Sequence, residues 1–302
     1  MFKSLRLVLA LSVSVLALPL LDSALASAST PPQCVVSLSP TATETLFAIG
    51  AGREVQAVDT DSDYPTSGLP TKRINALNPS VESVLGICKK TSSYPTTKPD
   101  LVIISYDAND IQQKLTNLGV KVVDQDAPAT LGGAYQEIEQ LGSLTGHVSK
   151  ADALVASLKA TINADIASVP AHPSKKVTVY YEVDTNPYYS LTSDTFVGSL
   201  MKSLGLVNIA DADSTTADAG YPELSAEYIA SSNPKLIFLA GDASVASVAK
   251  RAGFKDISAV LNGHVIELNA DIASRWGPRL GILMNDLTKA VKGVLSDQKV
   301  WN

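Results

Sequence analysis

The sequence predicts an α/β protein of two lobes, each a parallel sheet with helices on its faces, joined by a single long helix with a cleft between the lobes. Three observations predict it. Short β-branched runs alternate with helical patterns in both halves of the chain. One amphipathic segment of about 20 residues separates the halves. A phrase of serine, spacer, glutamate, apolar helix, proline and buried strand is written twice, about 145 residues apart.

In the first half "VVSL" (35–38), "VQAVD" (55–59), "DLVIIS" (100–105) and "VKVVD" (120–124) read as buried parallel strands. The second half offers "KVTVYYEV" (176–183), "KLIFLAG" (235–241) and "HVIEL" (264–268). Between them "SKADALVASLKATINADIASVP" (149–170) keeps Ala151, Leu154, Val155, Leu158, Ile162 and Ile166 at helical spacing. Ser149 with Asp152 resembles a capping box, and Pro170 closes the segment. Such a helix is a rod of roughly 30 Å, long enough to cross the back of two adjacent lobes. The organisation expected is a lobe over 33–146, a bridging helix over 147–170 and a second lobe over 171–302. The competing reading is an ordinary helix inside one larger domain.

The first residues carry Lys3 and Arg6, an apolar run from Leu7 to Leu21, and small residues at Ala24, Ala26 and Ala28. This pattern predicts an export signal over 1–26, cleaved near Ala26-Ser27 or Ala28-Ser29. The apolar run is shorter than the ~20 residues a bilayer span needs. "PPQ" before Cys34 does not fit a lipid-attachment site, so the mature protein is expected in the periplasm or another extracytoplasmic space. Export means an oxidising compartment, and Cys34 and Cys88 fall at the same edge of the first sheet, as strand start and helix end. A disulfide between them would contribute about 4 kcal/mol; the alternative is two inert thiols.

With 302 residues, 45% of them hydrophobic, the chain can bury substantial cores. Its formal charge of -6 and lack of a basic stripe give nucleic acid no footing. His147, His172 and His264 do not form metal-ligand spacing, so no metal site and no cofactor are expected. "AIGAGREVQAVD" lacks a complete G-x-G-x-x-G, and its glycines follow a helix where a dinucleotide loop needs a strand. Gly50 and Gly52 read instead as a helix end and turn.

The repeated phrase puts Glu82 behind Ser80 and Glu227 behind Ser225, each two positions after a good N-cap. Dipole compensation worth about 0.3–1 kcal/mol explains each glutamate singly. It does not explain the matching pair. Helix starts in parallel α/β units lie at the carboxyl edge of the strands, where ligands and partners bind. Two acids would therefore flank the mouth of a cleft.

The stretches "VVSLSPTATETLFAIGAG" (35–52), "VDTDSDYP" (58–65), "NPSVESVL" (78–85), "KPDLVIIS" (98–105), "YYEVDTNPYYSLTSDTFVGSLMKSLGLVNIA" (180–210), "LSAEYIASSNPKLIFL" (224–239) and "SRWGPRL" (274–280) occur in a telling order and spacing. In these the chain resembles the periplasmic substrate-binding proteins of ABC importers, the vitamin B12 and ferric-siderophore group, over essentially all of the mature chain. The resemblance implies two Rossmann-like lobes bridged by one backbone α-helix, with ligand captured between them by a monomer. It also implies that Glu82 and Glu227 meet arginines of the permease dimer, one per subunit. The insertion "CKKTSSYPTT" after Glu82 departs from the group's pattern, and Pro95 with its Ser/Thr content marks it as a surface loop.

Loops after the strands should face the cleft. They supply Ser39, Pro40, Thr41, Asp63, Tyr64 and Tyr106 from the first lobe. Tyr188, Tyr189, Tyr221, Asp271, Arg275 and Trp276 come from the second. Aromatic faces with a few polar tips suit a large, flat ligand. Anionic ferric siderophores call for cations, and the cationic candidates are Arg73, Arg275 and Arg279. Cobalamin is the ligand expected and a ferric siderophore the alternative, with haem held by a tyrosine behind both. Against cobalamin, "RINALNPS" lacks the tryptophan of B12-specific members. No G-x-S-x-G, H-E-x-x-H or C-x-x-C supports the rival reading as a secreted hydrolase, and an enzyme is not expected.

Overall fold

In the computed structural model the first lobe runs β1 (Val35–Leu38), α1 (Pro40–Ala48), β2 (Val55–Asp59), β3 (Arg73–Ile74), α2 (Val81–Leu85), β4 (Leu101–Ile104), α3 (Ile111–Asn117), β5 (Lys121–Asp124) and α4 (Leu131–Thr145). The structure describes residues 30–172, 174–212 and 219–301, so the export signal expected over 1–26 lies outside the described residues. Strand order is β3-β2-β1-β4-β5, with each neighbouring pair parallel. β1 and β4 are buried throughout because both faces of the sheet are covered. Val36, Val102 and Ile104 face a layer made by α2 and α3. Val35, Leu101 and Ile103 face α1 and α4.

α5 (Val148–Ala167) follows after two residues. The bridging helix expected over 147–170 is helical over Val148–Ala167, but it is not capped at Ser149. Gly146, left-handed at φ 74°, ends α4, and His147 serves as N-cap without a side-chain hydrogen bond. The amides of Lys150 and Ala151 donate to the His147 carbonyl. Ser149 is therefore inside the first turn and makes no capping box, because the turn out of α4 leaves no free residue to serve as one.

The second lobe contains β6 (Val177–Glu182), β7 (Asp184–Thr185), β8 (Tyr188–Tyr189), α6 (Phe196–Ser203), β9 (Leu206–Asn208), β10 (Glu223–Leu224), α7 (Ala226–Ser232), β11 (Leu236–Leu239), α8 (Val245–Val248), α9 (Ser258–Leu261), β12 (Val265–Glu267), α10 (Ala270–Ala273) and α11 (Leu280–Ser296). Its parallel sheet has the order β12-β11-β6-β9. A small antiparallel sheet, β10-β8-β7, stands at the carboxyl end of β6. Tyr188 and Tyr189, expected on a loop, are strand residues of this hairpin.

α5 packs on α4 of one lobe and α11 of the other. Ala151, Val155, Leu158 and Ile162 all join one apolar cluster that also holds Val35 and Leu101 from the first sheet and Val179 and Phe238 from the second. The core thus passes through the bridging helix without a break. Among the described residues no helix is long and apolar enough to cross a membrane.

Cys34 and Cys88 are joined by a disulfide, tying the start of β1 to the segment after α2. It closes a span of 54 residues. Replacing both cysteines by serine should cost about 4 kcal/mol of stability, read as a lower urea midpoint with a somewhat steeper slope, because the unfolded chain loses a cross-link and exposes more surface.

Candidate functional site

The lobes meet through charge at the carboxyl ends of the first-lobe strands. α1 opens on Ser39, whose side chain accepts from the Ala42 amide at 3.2 Å, with Pro40 in the first turn. Glu44 lies midway along this helix and is only 1% exposed. Two second-lobe arginines reach it. Arg275 Nη1 donates to Glu44 Oε1 at 2.8 Å, and Arg279 Nε donates to Oε2 at 2.9 Å. Arg275 also donates to Asp63 Oδ1 at 2.7 Å, to the Asp61 carbonyl at 3.0 Å and to Asp271 Oδ1 at 2.8 Å. Its side chain is 6% exposed, and four acceptors from both lobes compensate its desolvation. Burial pushes the guanidinium's pKa down, but the hydrogen bonds and charges of Glu44 and Asp63 outweigh it and hold it above its ordinary value. Burial pushes the Asp63 carboxyl up, but the hydrogen bond and charge of Arg275 outweigh it and hold the group below its usual range. The Arg279 guanidinium also lies over the Tyr64 ring, 4.5 Å from its centre.

A second seam joins α4 to the segment after α10. Trp276 Nε1 donates to Glu137 Oε2 at 2.6 Å. Burial pushes the Glu137 carboxyl up to about 7, the charges of Asp126 and Asp124 push the same way, and the tryptophan hydrogen bond opposes them.

Beside this seam two adjoining chambers of ≈ 220 and ≈ 510 Å³ share Ala127, Phe196 and Tyr221. The smaller has Trp276, Tyr181, Leu191 and Val197 in its wall; the larger opens toward Pro128, Thr192 and Asp194. Ala127 and Pro128 belong to the β5–α4 loop, so the chambers lie between the lobes. Burial raises the pKa of the Tyr221 hydroxyl, keeping it a neutral hydrogen-bonding group.

Of the residues named from sequence, Tyr221 and Trp276 line these chambers. Asp63, Tyr64, Asp271 and Arg275 are brought together, but as the ionic seam. Ser39 and Thr41 are buried beneath it, and a Cβ on Gly277 would come within 3.4 Å of Thr41. Tyr188 packs on Phe254, 5.7 Å between ring centres, under the Arg251 guanidinium. That places it against the outer core of the second lobe, because Arg251 is drawn in by the buried Glu182 at 2.8 Å. Tyr106 and Tyr189 stand exposed at the ends of β4 and in β8. The sequence reading missed Glu44, Glu137 and Phe196. The signal for Glu44 was a lone acid in the small and apolar helix "PTATETLFA".

Glu82 and Glu227 are both exposed on the first turns of α2 and α7. Ser80 accepts from the Ser83 amide at 3.1 Å, and Ser225 from the Tyr228 amide at 3.1 Å. Neither glutamate is ion-paired with a described residue.

Two helix-bridged α/β lobes with an aromatic interlobe cleft define a solute-binding protein. The family description "Periplasmic binding protein" matches residues 35–272, and the chain belongs to that family of ABC-importer components. An uncharacterized ABC transporter substrate-binding lipoprotein of Bacillus subtilis is 30% identical over 268 residues, 86% of this chain and 80% of that protein. The structure of the vitamin B12-binding protein BtuF of Vibrio cholerae superposes with TM-score 0.73 at 26% identity, covering 89% of this chain and 100% of that one. A possible iron-binding (periplasmic solute-binding) protein of Staphylococcus epidermidis matches with TM-score 0.73 at 29% identity, covering 87% and 99%.

Glu44→Ala would leave the Arg279 guanidinium without its carboxylate and remove one of the four acceptors of Arg275; it should destabilise the fold by about 3–5 kcal/mol, measured by denaturant titration. Glu137 gives a pH signature. Its folded pKa is raised from the ordinary 4.5 to about 7. The native state therefore favours the protonated acid, and its stabilising contribution is complete below about pH 4.5 and lost as pH rises through about 7. Melting temperature should fall across that window, and Glu137→Gln should flatten the fall.

Proposed function

We propose that the chain captures cobalamin or a related corrinoid in the interlobe cleft and passes it to the permease dimer of an ABC importer, docking through Glu82 and Glu227. One observation carries the choice of ligand. The three arginines that could hold an anionic iron chelate are occupied within the protein. Arg73 donates to the carbonyls of Asp59 and Ser62, while Arg275 and Arg279 are held by Glu44 and its neighbours. The smaller chamber's wall is mostly aromatic and apolar, and the larger adds Thr192, Thr195 and one acid, Asp194. Exposed acids follow the strands around its mouth: Asp107 after β4, Asp126 after β5, Asp184 after β6 and Asp242 after β11. Such a mouth repels a multiply negative ligand and accepts a corrinoid of no net charge. The similarity to BtuF supports the same choice.

A ferric siderophore is the second reading, favoured by the Staphylococcus epidermidis likeness. The charge around the cleft restricts it to neutral or cationic chelates. Docking is supported by the matching caps that set Glu82 and Glu227 on exposed first turns at the carboxyl edges of their sheets. The role proposed is binding and delivery, with no catalytic step.

Fluorescence quenching and melting shifts with cyanocobalamin, cobinamide, haem, and neutral and anionic ferric siderophores test the ligand. Corrinoids should quench and should raise the melting temperature as RT ln(1 + [L]/Kd). Tight binding of an anionic chelate with no response to corrinoids would overturn the reading. Trp276→Ala and Tyr221→Ala should each weaken binding by roughly tenfold or more, about 1.4 kcal/mol. The double change Glu82→Ala, Glu227→Ala should abolish uptake in cells while leaving affinity intact; an equal loss of affinity would remove the docking role.

A further inference from the structure

We infer that the first lobe carries a second binding site, for a phosphate-bearing anion, in a groove at the edge of its sheet opposite the interlobe cleft. The groove has a volume of ≈ 570 Å³, larger than either cleft chamber. It lies where the strands begin: beside Val55 at the start of β2, beside Lys72 just before β3, and beside Ile87 and Lys89 beyond α2. The inference goes beyond ligand capture in the cleft and does not depend on it.

The chemistry of the lining is one-sided. Arg53, Lys72 and Lys89 line the groove and no carboxylate does, in a chain with 30 acidic residues against 24 basic ones. Among the described residues no acid is ion-paired with any of the three. Glu54 is next in sequence to Arg53 but is absent from the lining, and its Oε2 is buried without a hydrogen-bond partner. Gln56 and Thr71 add neutral polar groups.

The groove is also held in shape. Lys72 Nζ donates to the Ile87 carbonyl at 2.9 Å, which fixes one ammonium across the opening. The Cys34–Cys88 disulfide ties the Ile87–Lys89 rim to β1. The Phe47 ring lies on the backbone of Gly52 so closely that a Cβ there would sit 2.7 Å from Cδ1. Gly50 turns the chain at φ +92°. These are the glycines of "AIGAGREVQ", which fail as a dinucleotide loop because they follow a helix. Here they make room for a wall whose anion affinity would come from side chains. A guanidinium offers two parallel donors to a phosphate, and two ammoniums supply point charges around it. Three cations around one groove suit a ligand with more than one phosphate charge, either a soluble polyphosphate or a phosphate headgroup presented by a lipid surface.

The test is calorimetric titration of the mature protein with sodium tripolyphosphate, alongside co-sedimentation with vesicles of phosphatidylglycerol in phosphatidylcholine and of phosphatidylcholine alone. Tripolyphosphate should bind, more weakly at high salt. Arg53→Ala with Lys89→Ala should lower the affinity by roughly tenfold or more at unchanged melting temperature and unchanged response to cleft ligand. Lys250→Ala with Lys255→Ala, outside the groove, should have no effect. Vesicle binding without tripolyphosphate binding, lost in the groove variant alone, would assign the site to a lipid headgroup. If neither probe binds, or if the control variant loses as much as the groove variant, there is no such site.

Discussion

Glu44 is the point on which the two lobes turn. It is a buried carboxylate on the first helix of one lobe, and both its oxygens are taken by arginines of the other. A buried charge is tolerated only with close partners, so the lobes cannot part at this seam without exposing three ionised groups or leaving them unpaired. The apolar cluster that threads α5 restrains the opposite side of the molecule in the same way. Between these two restraints lies the cleft, shaped by elements that have little freedom to move. Whatever enters it meets a wall already formed.

The same seam explains the character of the cleft. Arg275 sits between Ser274 and Trp276, both of which line the smaller chamber, and a free guanidinium there would favour anions. The charge of Arg275 and Arg279 is spent on Glu44, Asp63 and Asp271 instead. The chamber walls keep Trp276, Tyr221, Tyr181 and Phe196, with Thr192, Thr195 and Asp194. On the reading proposed above, selection against anionic solutes would come from how the arginines are used internally, not from their number in the chain.

Most of the fold was legible in the sequence because its strands are buried on both faces and so appear as unbroken apolar runs. The long helix was legible from its spacing, although its cap was not: His147 stands at the N-cap in a turn set by Gly146, and Ser149 merely looked the part. The hairpin at Tyr188 was illegible, since two-residue strands carry no period. The site was read less well than the fold, for one physical reason. Residue type and loop position identify candidates, but they do not say which charged groups will neutralise each other. Asp63, Asp271 and Arg275 were rightly grouped near the lobe junction and bind one another across it. Trp276 and Tyr221 do line the chambers, because no internal partner competes for their faces.

The strands also order charge along the molecule. Lys72, Lys98, Lys121, Lys176 and Lys235 stand at or just before strand starts, and Asp107, Asp126, Asp184 and Asp242 just beyond strand ends. In each lobe the carboxyl edge, where Glu82 and Glu227 also stand exposed, thus gathers acid. A cationic surface would feel that edge only within about 8 Å at physiological ionic strength, because salt screens the attraction beyond it.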